Sequence, residues 1–275
     1  MSILNLTPDS FSDGGLHNAN DSTYLTHTIS SHVQQGATIL DIGGQSSRPN
    51  AESITADEET ARILPAIRAA KHTAPSLALS IDTYRAAVAH AAIRAGAHII
   101  NDISAGQLDP SMLRTVASLG CSVVLMHMRG TPATMTSASN CDYPDGLIAS
   151  IASELRSRVA EAEAAGIKRW RIILDPGIGF AKTGRQNLEI LRRFAELRDA
   201  QGLRGLPWVL GSSRKRFIGT LTGRKEARER GWGTAATVAA AVQGGADVVR
   251  VHDVEEMRDV VVVADGIWRG GGKNA

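Results

Sequence analysis

Eight short runs rich in Ile, Val and Leu alternate with stretches of helical spacing along the whole chain. The runs are "ILNL" from Ile3, "TILDIG" from Thr38, "LALSID" from Leu77, "HIIND" from His98, "CSVVLMHM" from Cys121, "RIILD" from Arg171, "PWVLG" from Pro207 and "DVVRVH" from Asp247. Between them lie segments such as "ADEETARILPAIRAAKH", "YRAAVAHAAIRAGA", "GLIASIASELRSRVAEAEAAG", "NLEILRRFAELRDAQG" and "GTAATVAAAVQGGA". Several of these stop at Gly or Gly-Ala, a common helix end. Near-continuously apolar strands that each precede a helix read as parallel strands covered on the outside by helices. A closed (β/α)8 TIM barrel needs about 250 residues, and the chain has 275. This α/β barrel is the expected fold, as one domain over residues 1–275. An open doubly wound sheet is the competing architecture, but it would carry a glycine fingerprint straight after its first strand. Here the first strand runs instead into "TPDSFSDGGLHNANDS". The charged stretch 222–231 reads as a solvated loop or helix start.

Barrel enzymes carry their chemistry at the C-terminal ends of the strands, and the predicted strand ends form a polar series. They are Asn5, Asp41, Asp82, Asn101-Asp102, Met126-His127-Met128, Asp175, Gly211-Ser212 and Arg250-Val251-His252. Any single strand-end Asp is as well explained as a helix N-cap, and Asp41 and Asp102 keep that reading or a supporting one. The series also holds Asn, Arg, His and Lys, which capping does not explain. Strand side chains alternate between faces, so Arg250 and His252 point together, opposite Val251. Met126 and Met128 likewise share a face opposite His127, and that places His127 among the structural residues. An Arg–His pair at a strand end suits an anion such as phosphate.

Two turns add to this set. "DPGIGFAK", residues 175–182, follows the sixth strand with two glycines and an aromatic ring. An ionised Asp beside an exposed Phe180 suits a flat heterocycle whose edge offers adjacent N–H donors. "GSSRKRFIG", residues 211–219, puts backbone donors, hydroxyls and Lys215 at a strand-to-helix turn, an anion or carbonyl site; a plain basic loop is the bland alternative. In "DIGGQSSRPN", residues 41–50, Gly43 and Gly44 are expected to let the chain leave the barrel, and Ser47, Arg48 and Pro49 to form a substrate loop that orders only with substrates.

Composition removes several classes of function. A formal net charge of +2 argues against a broad basic face for nucleic acid. The two cysteines, Cys121 and Cys141, make no disulfide framework and point to a reducing, intracellular compartment, cytoplasmic or mitochondrial. No apolar run is long enough for a membrane span, and no secretory signal is visible. The histidines and cysteines have no zinc-like spacing, and no serine sits in a nucleophile elbow. The chain opens on a strand with almost nothing before it, so it is expected to be a domain of a longer polypeptide.

The segments "ILNLTPDSFSDGG", "DIGGQSSRPNA", "SIDTYRAAVA", "GAHIINDISAG", "LMHMRGTPATM", "ILDPGIGFAKT", "GSSRKRFIG" and "RVHDV" resemble, in order and over nearly the whole chain, the dihydropteroate synthases. These are the sulfonamide-inhibited enzymes of folate biosynthesis. "RERGWGTAATVAAAVQGGADVVRVHDV" is similar to the fungal branch, where the synthase is fused behind other folate-pathway domains. The resemblance implies a transferase that joins 6-hydroxymethyl-7,8-dihydropterin pyrophosphate to 4-aminobenzoate. It implies a pterin pocket of Asp82, Asn101, Met126, Asp175, Phe180, Gly211 and Lys215, and a pyrophosphate clamp of Asn5, Arg48, Arg250 and His252. Phe11, Ser47, Pro49 and Ser213 would enclose the aminobenzoate. Asp82, Lys215, Arg48 and Asp175 would carry the catalysis, and Asn5, with Asp9 nearby, would meet Mg2+. A homodimer is implied too.

Two positions depart from the family pattern: Ser47 stands where Thr is usual, and Arg216 where bacterial members often have a small hydroxyl residue. Arg216 is expected to add charge near the aminobenzoate carboxylate. A methyltetrahydrofolate-dependent methyltransferase barrel is the alternative, but it gives no reason for the anion-binding loops. A non-catalytic pterin-binding scaffold and a sugar-phosphate barrel are further readings; the complete polar series argues against the first, and the Asp82–Asn101–Asp175 set against the second.

Overall fold

Every predicted apolar run is a strand in the computed structural model, which describes residues 1–7, 22–45 and 53–270. The strands are β1 Ser2–Asn5, β2 Ile39–Gly43, β3 Ala78–Asp82, β4 Ile99–Asp102, β5 Ser122–Met126, β6 Ile172–Asp175, β7 Val209–Leu210 and β8 Val248–Val249. All are parallel, and β1 to β6 pair in chain order. β7 pairs with β8. Two bridges join these sheets into a ring: Leu174 with Trp208, and Ser2 with Val251. The Leu174 amide donates to the Pro207 carbonyl at 2.8 Å, and the Ile3 amide to the Val251 carbonyl at 3.1 Å. A doubly wound sheet keeps two open edges and reverses its strand order. Sequential pairing that returns to β1 is a closed barrel, as expected.

The helices form the outer ring. They are α1 Ser22–Gln34, α2 Ala56–Thr73, α3 Ala86–Arg94, α4 Met112–Leu119, α5 Leu147–Ala164, α6 Gly184–Arg192, α7 Phe194–Arg198, α8 Arg216–Thr222, α9 Gly231–Gly244 and α10 Val254–Trp268. The stretch "NLEILRRFAELRDAQG" is not one helix: Arg193, at φ −109° and ψ 22°, separates α6 from α7. α8 is extra, because β7 is followed by two helices. Reciprocal capping boxes start α2, between Thr55 and Glu58, and α6, between Thr183 and Gln186. Of the stretch 222–231, the residues between α8 and α9 form a mostly exposed loop with a short 3-10 turn at Ala227–Arg230.

Strand alternation creates two separate apolar regions. Leu40, Ile42, Leu79, Ile81, Ile100, Val123, Leu125, Leu174 and Leu210 point outward and pack with Leu25, Ile29, Ile63, Ile67 and Ile151 of the helices. Burying each such side chain stabilises the fold by about 1.5–3 kcal/mol. Inside the ring, Ile99, Val124 and Val209 pack with Met1, Ile39, Ile173 and Val248. This plug fills the lower barrel. Above it the inward residues include Asp41, Asn101, Asp175, Gly211 and Arg250, with Met126 on β5, and that layer is the mouth.

Candidate active site

Asn5, Gly43, Asp82 and Asn101 occupy one rung across β1 to β4. Met126 and Asp175 pair across β5 and β6. Gly211 and Arg250 complete the ring, since a Cβ on Gly211 would lie 3.7 Å from that of Arg250. Seven sequence-predicted site residues thus meet at one end of the barrel.

Arg250 holds the centre. Its Nε donates to Asp41 Oδ2 at 2.6 Å, and a terminal nitrogen donates to Asp82 Oδ2 at 2.8 Å. Asn101 Nδ2 donates to the same Asp41 oxygen at 3.0 Å. Asp41 is fully buried, so it anchors Arg250 and Asn101 from below rather than capping a helix. Burial works against the Arg250 charge, but Asp41 and Asp82 outweigh it and raise its pKa. Burial raises the Asp82 pKa to about 7; Arg250 opposes this, while Asp41, Glu59 and Asp102 add to it. Near neutrality the mouth therefore holds a carboxyl poised between its two states.

The β6 turn faces this group. Asp175 Oδ1 accepts from the Gly177 amide at 2.7 Å, and the Gly179 amide donates to Asn187 Oδ1 at 2.7 Å. Burial raises the Asp175 pKa, opposed by Lys215, the Gly177 amide, Lys182 and Arg250. Lys215 precedes α8 and crosses to this turn, where its Nζ donates to the Ile178 carbonyl and stands 4.7 Å from the Phe180 ring centre. Burial lowers the Lys215 pKa to about 8, with Asp175 opposing. Met126 lies in an apolar cluster with Ile103, Met128, Met135 and Ala181, against which Phe180 and Tyr84 pack. The cup so formed has an apolar side, acceptors for N–H donors, and two cations.

Parity places the β8 residues correctly. Val251 packs outward on Val238 and Met257, whereas His252 Nδ1 lies 2.9 Å from Ser213 Oγ. Ser213, expected at the aminobenzoate, thus adjoins His252, expected at the pyrophosphate. Arg216 is exposed at the first position of α8. Asp102 points away from the cup and accepts from the Ser104 amide and hydroxyl and the Gly106 amide, which shapes the β4–α4 loop. Phe11, Ser47, Arg48 and Pro49, with Asp9, lie outside the described residues.

One expectation needs correction. Gly43 and Gly44 do not serve to free the chain, since neither has a positive φ. Gly43 sits between Asn5 and Asp82, and Gly44 lies against the Glu59 carbonyl of α2. Two buried or half-buried cations had no role in the sequence reading. Arg85 pairs with the buried Glu59 and donates to the Ile54 carbonyl at 2.7 Å, holding the chain just before α2. An acid on the apolar side of α2 was the signal for it. Lys182 lies buried behind the β6 turn; its signal was a lysine directly after a glycine-rich turn. His127 is structural, 3.0 Å from Glu154 Oε2.

Inward acceptors and paired cations over an apolar plug, at the C-terminal mouth of a closed barrel, define an α/β-barrel enzyme with a site for a polar heterocycle bearing an anion. Residues 1–252 match the pterin binding enzymes. The chain is 49% identical over 269 residues to the folic acid synthesis protein fol1 of Pneumocystis carinii, covering 98% of this chain and 36% of that protein. It is 46% identical to the dihydropteroate synthase of Synechocystis, covering 98% of this chain and 90% of that one. The solved dihydropteroate synthase of Xanthomonas albilineans in complex with 7,8-dihydropteroate superposes with a TM-score of 0.82 at 37% identity, over 97% of this chain and 92% of that one. The chain belongs to the pterin binding enzymes and, among them, to the dihydropteroate synthases. It spans only 36% of the length of the fungal relatives.

Proposed function

We propose that the chain condenses 6-hydroxymethyl-7,8-dihydropterin pyrophosphate with 4-aminobenzoate, giving 7,8-dihydropteroate and pyrophosphate. The observation that carries this is the convergence of Asp82, Asn101 and Asp175 with Lys215 and Arg250 in one inward-facing cup. Asp82 and Asp175 accept N–H groups from the pterin edge, and Asn101 supplies amide contacts. Lys215 donates to the pterin carbonyl, while Phe180 and Met126 line the ring. The bond from the methylene carbon to the pyrophosphate oxygen breaks first, and its electron pair leaves with the pyrophosphate. The two carboxylates stabilise the resulting pterin cation. Arg250 and His252, with Arg48, meet the growing negative charge of the leaving group. The amine lone pair then attacks the methylene carbon, and the nitrogen loses a proton. Ser213 and Arg216, with Phe11, Ser47 and Pro49, enclose the aminobenzoate.

Magnesium fits this scheme as an ion held mainly by the substrate's phosphates. Among the described residues no three His, Cys, Asp or Glu side chains group around a cation. Asn5, half-buried at the mouth, has its Oδ1 3.5 Å from where a Cβ on Gly43 would stand, and it would supply one oxygen ligand. When bound, the ion neutralises pyrophosphate charge.

The reading includes a homodimer and fusion to other folate-pathway domains. Val262, Val263 and Ile267 of α10 are exposed and form the apolar face that a second copy would cover; sedimentation velocity tests this. The compartment is cytoplasmic or mitochondrial; Cys121 and Cys141 are both free thiols, and among the described residues no helix is long and apolar enough to cross a membrane.

The direct experiment supplies the dihydropterin pyrophosphate, 4-aminobenzoate and Mg2+ to the purified chain. Dihydropteroate and pyrophosphate should appear in equal amounts. A folded chain that makes neither would overturn the reading, and methyl transfer in a parallel assay supplied with methyltetrahydrofolate and a methyl acceptor would replace it with the methyltransferase barrel.

A further inference from the structure

Lys182 ends the β6 turn, and no step above uses it. It is 7% exposed, and its ammonium lies against His127, whereas Lys215 meets the Phe180 ring. There Nζ is 2.9 Å from His127 Nδ1 and donates to the Phe180 carbonyl at 2.9 Å. A Cβ on Gly177, whose amide binds Asp175, would come within 3.3 Å of it. The turn it supports is conformationally demanding, with Gly177, Gly179 and Ala181 all at positive φ. Tyr143 fixes the same turn by donating to the Ala181 carbonyl at 2.8 Å.

A buried ammonium is a costly way to fill space; a methionine would fill it without the desolvation penalty. Something must compensate the charge, and the ammonium packs beside Gly177, whose amide binds the Asp175 carboxylate at 2.7 Å. The other charged or titratable groups around Lys182 are Lys215 from the β7 turn, Glu154 from α5, and His127, Arg129 and Cys141 from the strand and loop after β5. Glu154 is screened by its own bonds to His127 and Arg129. Burial, with Lys182 beside it, lowers the His127 pKa to about 4. His127 is therefore neutral, its Nδ1 accepts from the ammonium, and its Nε2 proton goes to Glu154.

We propose that Lys182 is a positioning residue of the pterin subsite: its charge, applied from behind the turn, keeps the Asp175 carboxylate ionised and aimed at the pterin while Lys215 acts from the front. This rests on Asp175 being a pterin acceptor. Burial lowers the Lys182 pKa to about 7, opposed first by Asp175, and Lys182 in turn lowers that of Asp175. The ammonium is thus charged on the acid side of pH 7.

The test is the pH dependence of 6-hydroxymethylpterin binding to the purified chain, read by calorimetry from about pH 4 to 8. Wild type is compared with Lys182→Met and Lys182→Gln, each shown to be folded by its thermal midpoint. Glutamine keeps a donor for the Phe180 carbonyl but carries no charge. Both variants should move the acid limb of binding upward by about half a pH unit or more, on top of the Asp82 step that all three proteins share. If Lys182→Met does not fold, Lys182→Gln carries the test. A folded variant with weaker binding at every pH but an unmoved acid limb would make Lys182 merely structural and overturn the proposal. A wild-type chain that binds no pterin would overturn the pterin reading itself, and this inference with it.

Discussion

Gly177 sits at φ 69°, and a methyl group on it would drive into the His127 carbonyl. The left-handed conformation costs any other residue about 1–2 kcal/mol, and the overlap adds the strain of moving β5 or the turn. Gly177→Ala should therefore destabilise the fold by more than about 3 kcal/mol and abolish pterin binding, because the same amide positions Asp175. Urea unfolding with a wild-type midpoint would refute this. At this scale the sequence was informative about direction. The strand-end rule brought Asp82, Asn101, Asp175 and Arg250 to one end of the barrel, and alternation set Arg250 opposite Val251. It was silent about partners: Arg250 and Asp41 are 209 residues apart, and no periodicity reports a contact across a barrel. Lys182 was missed for a related reason. It lies on a turn rather than in a strand, where parity does not say whether a side chain faces the substrate or the wall behind it.

Strands and long amphipathic helices were legible as elements, since an apolar run or a 3.6-residue period identifies them without tertiary knowledge. α1 gave a weaker signal, burying only Leu25 and Ile29 among its polar residues. The break at Arg193 and the short helix α8 follow from packing between elements, which local pattern does not encode. The two glycines at the end of β2 show the same limit. Gly44 lies where a Cβ would be 3.0 Å from both the Glu59 carbonyl and an Ile63 methyl of α2, so the helix can pack this closely only against glycine. Gly44→Ala should push α2 outward and cost about 1–3 kcal/mol. Gly43→Ala meets ordinary contacts, 3.5 Å to Asn5 Oδ1 and 3.6 Å to the Asp82 Cβ. Its stability should stay within about 1 kcal/mol of wild type, while its methyl narrows the mouth and lowers kcat/KM. Chemical denaturation beside steady-state kinetics checks the pair; equal stability losses in both would show that close helix packing is not the reason for Gly44.

The barrel as a whole was readable because eight strand–helix pairs of this length leave few ways to close, and because closure decides which ends of the strands share a mouth. The electrostatic state of that mouth was not readable, since it depends on how many charges burial forces together. Its consequence is a stability profile with an unusual sign. Asp82, raised from 3.8 to about 7, stays protonated in the fold across a window where the unfolded chain has already ionised. The folded state then binds more protons, so this group makes stability fall as pH rises through that window. Lys182 and Lys215, lowered from 10.5 to about 7 and about 8, act in the opposite sense. Above those values the unfolded chain keeps protons that the fold has lost, and stability rises with pH. Each pH unit across a window is worth up to about 1.4 kcal/mol per group. Asp82→Asn removes a carboxyl that resembles asparagine when protonated. Its thermal midpoint should match wild type near pH 4 and exceed it by a growing margin up to pH 7, although the variant loses activity. The midpoint of the ligand-free wild type should in turn climb from about pH 7 to pH 9. A constant difference between Asp82→Asn and wild type across pH would mean that the barrel does not hold Asp82 at a raised pKa. In that case the carboxyl is not poised at neutrality, and pterin binding alone has to account for its ionisation.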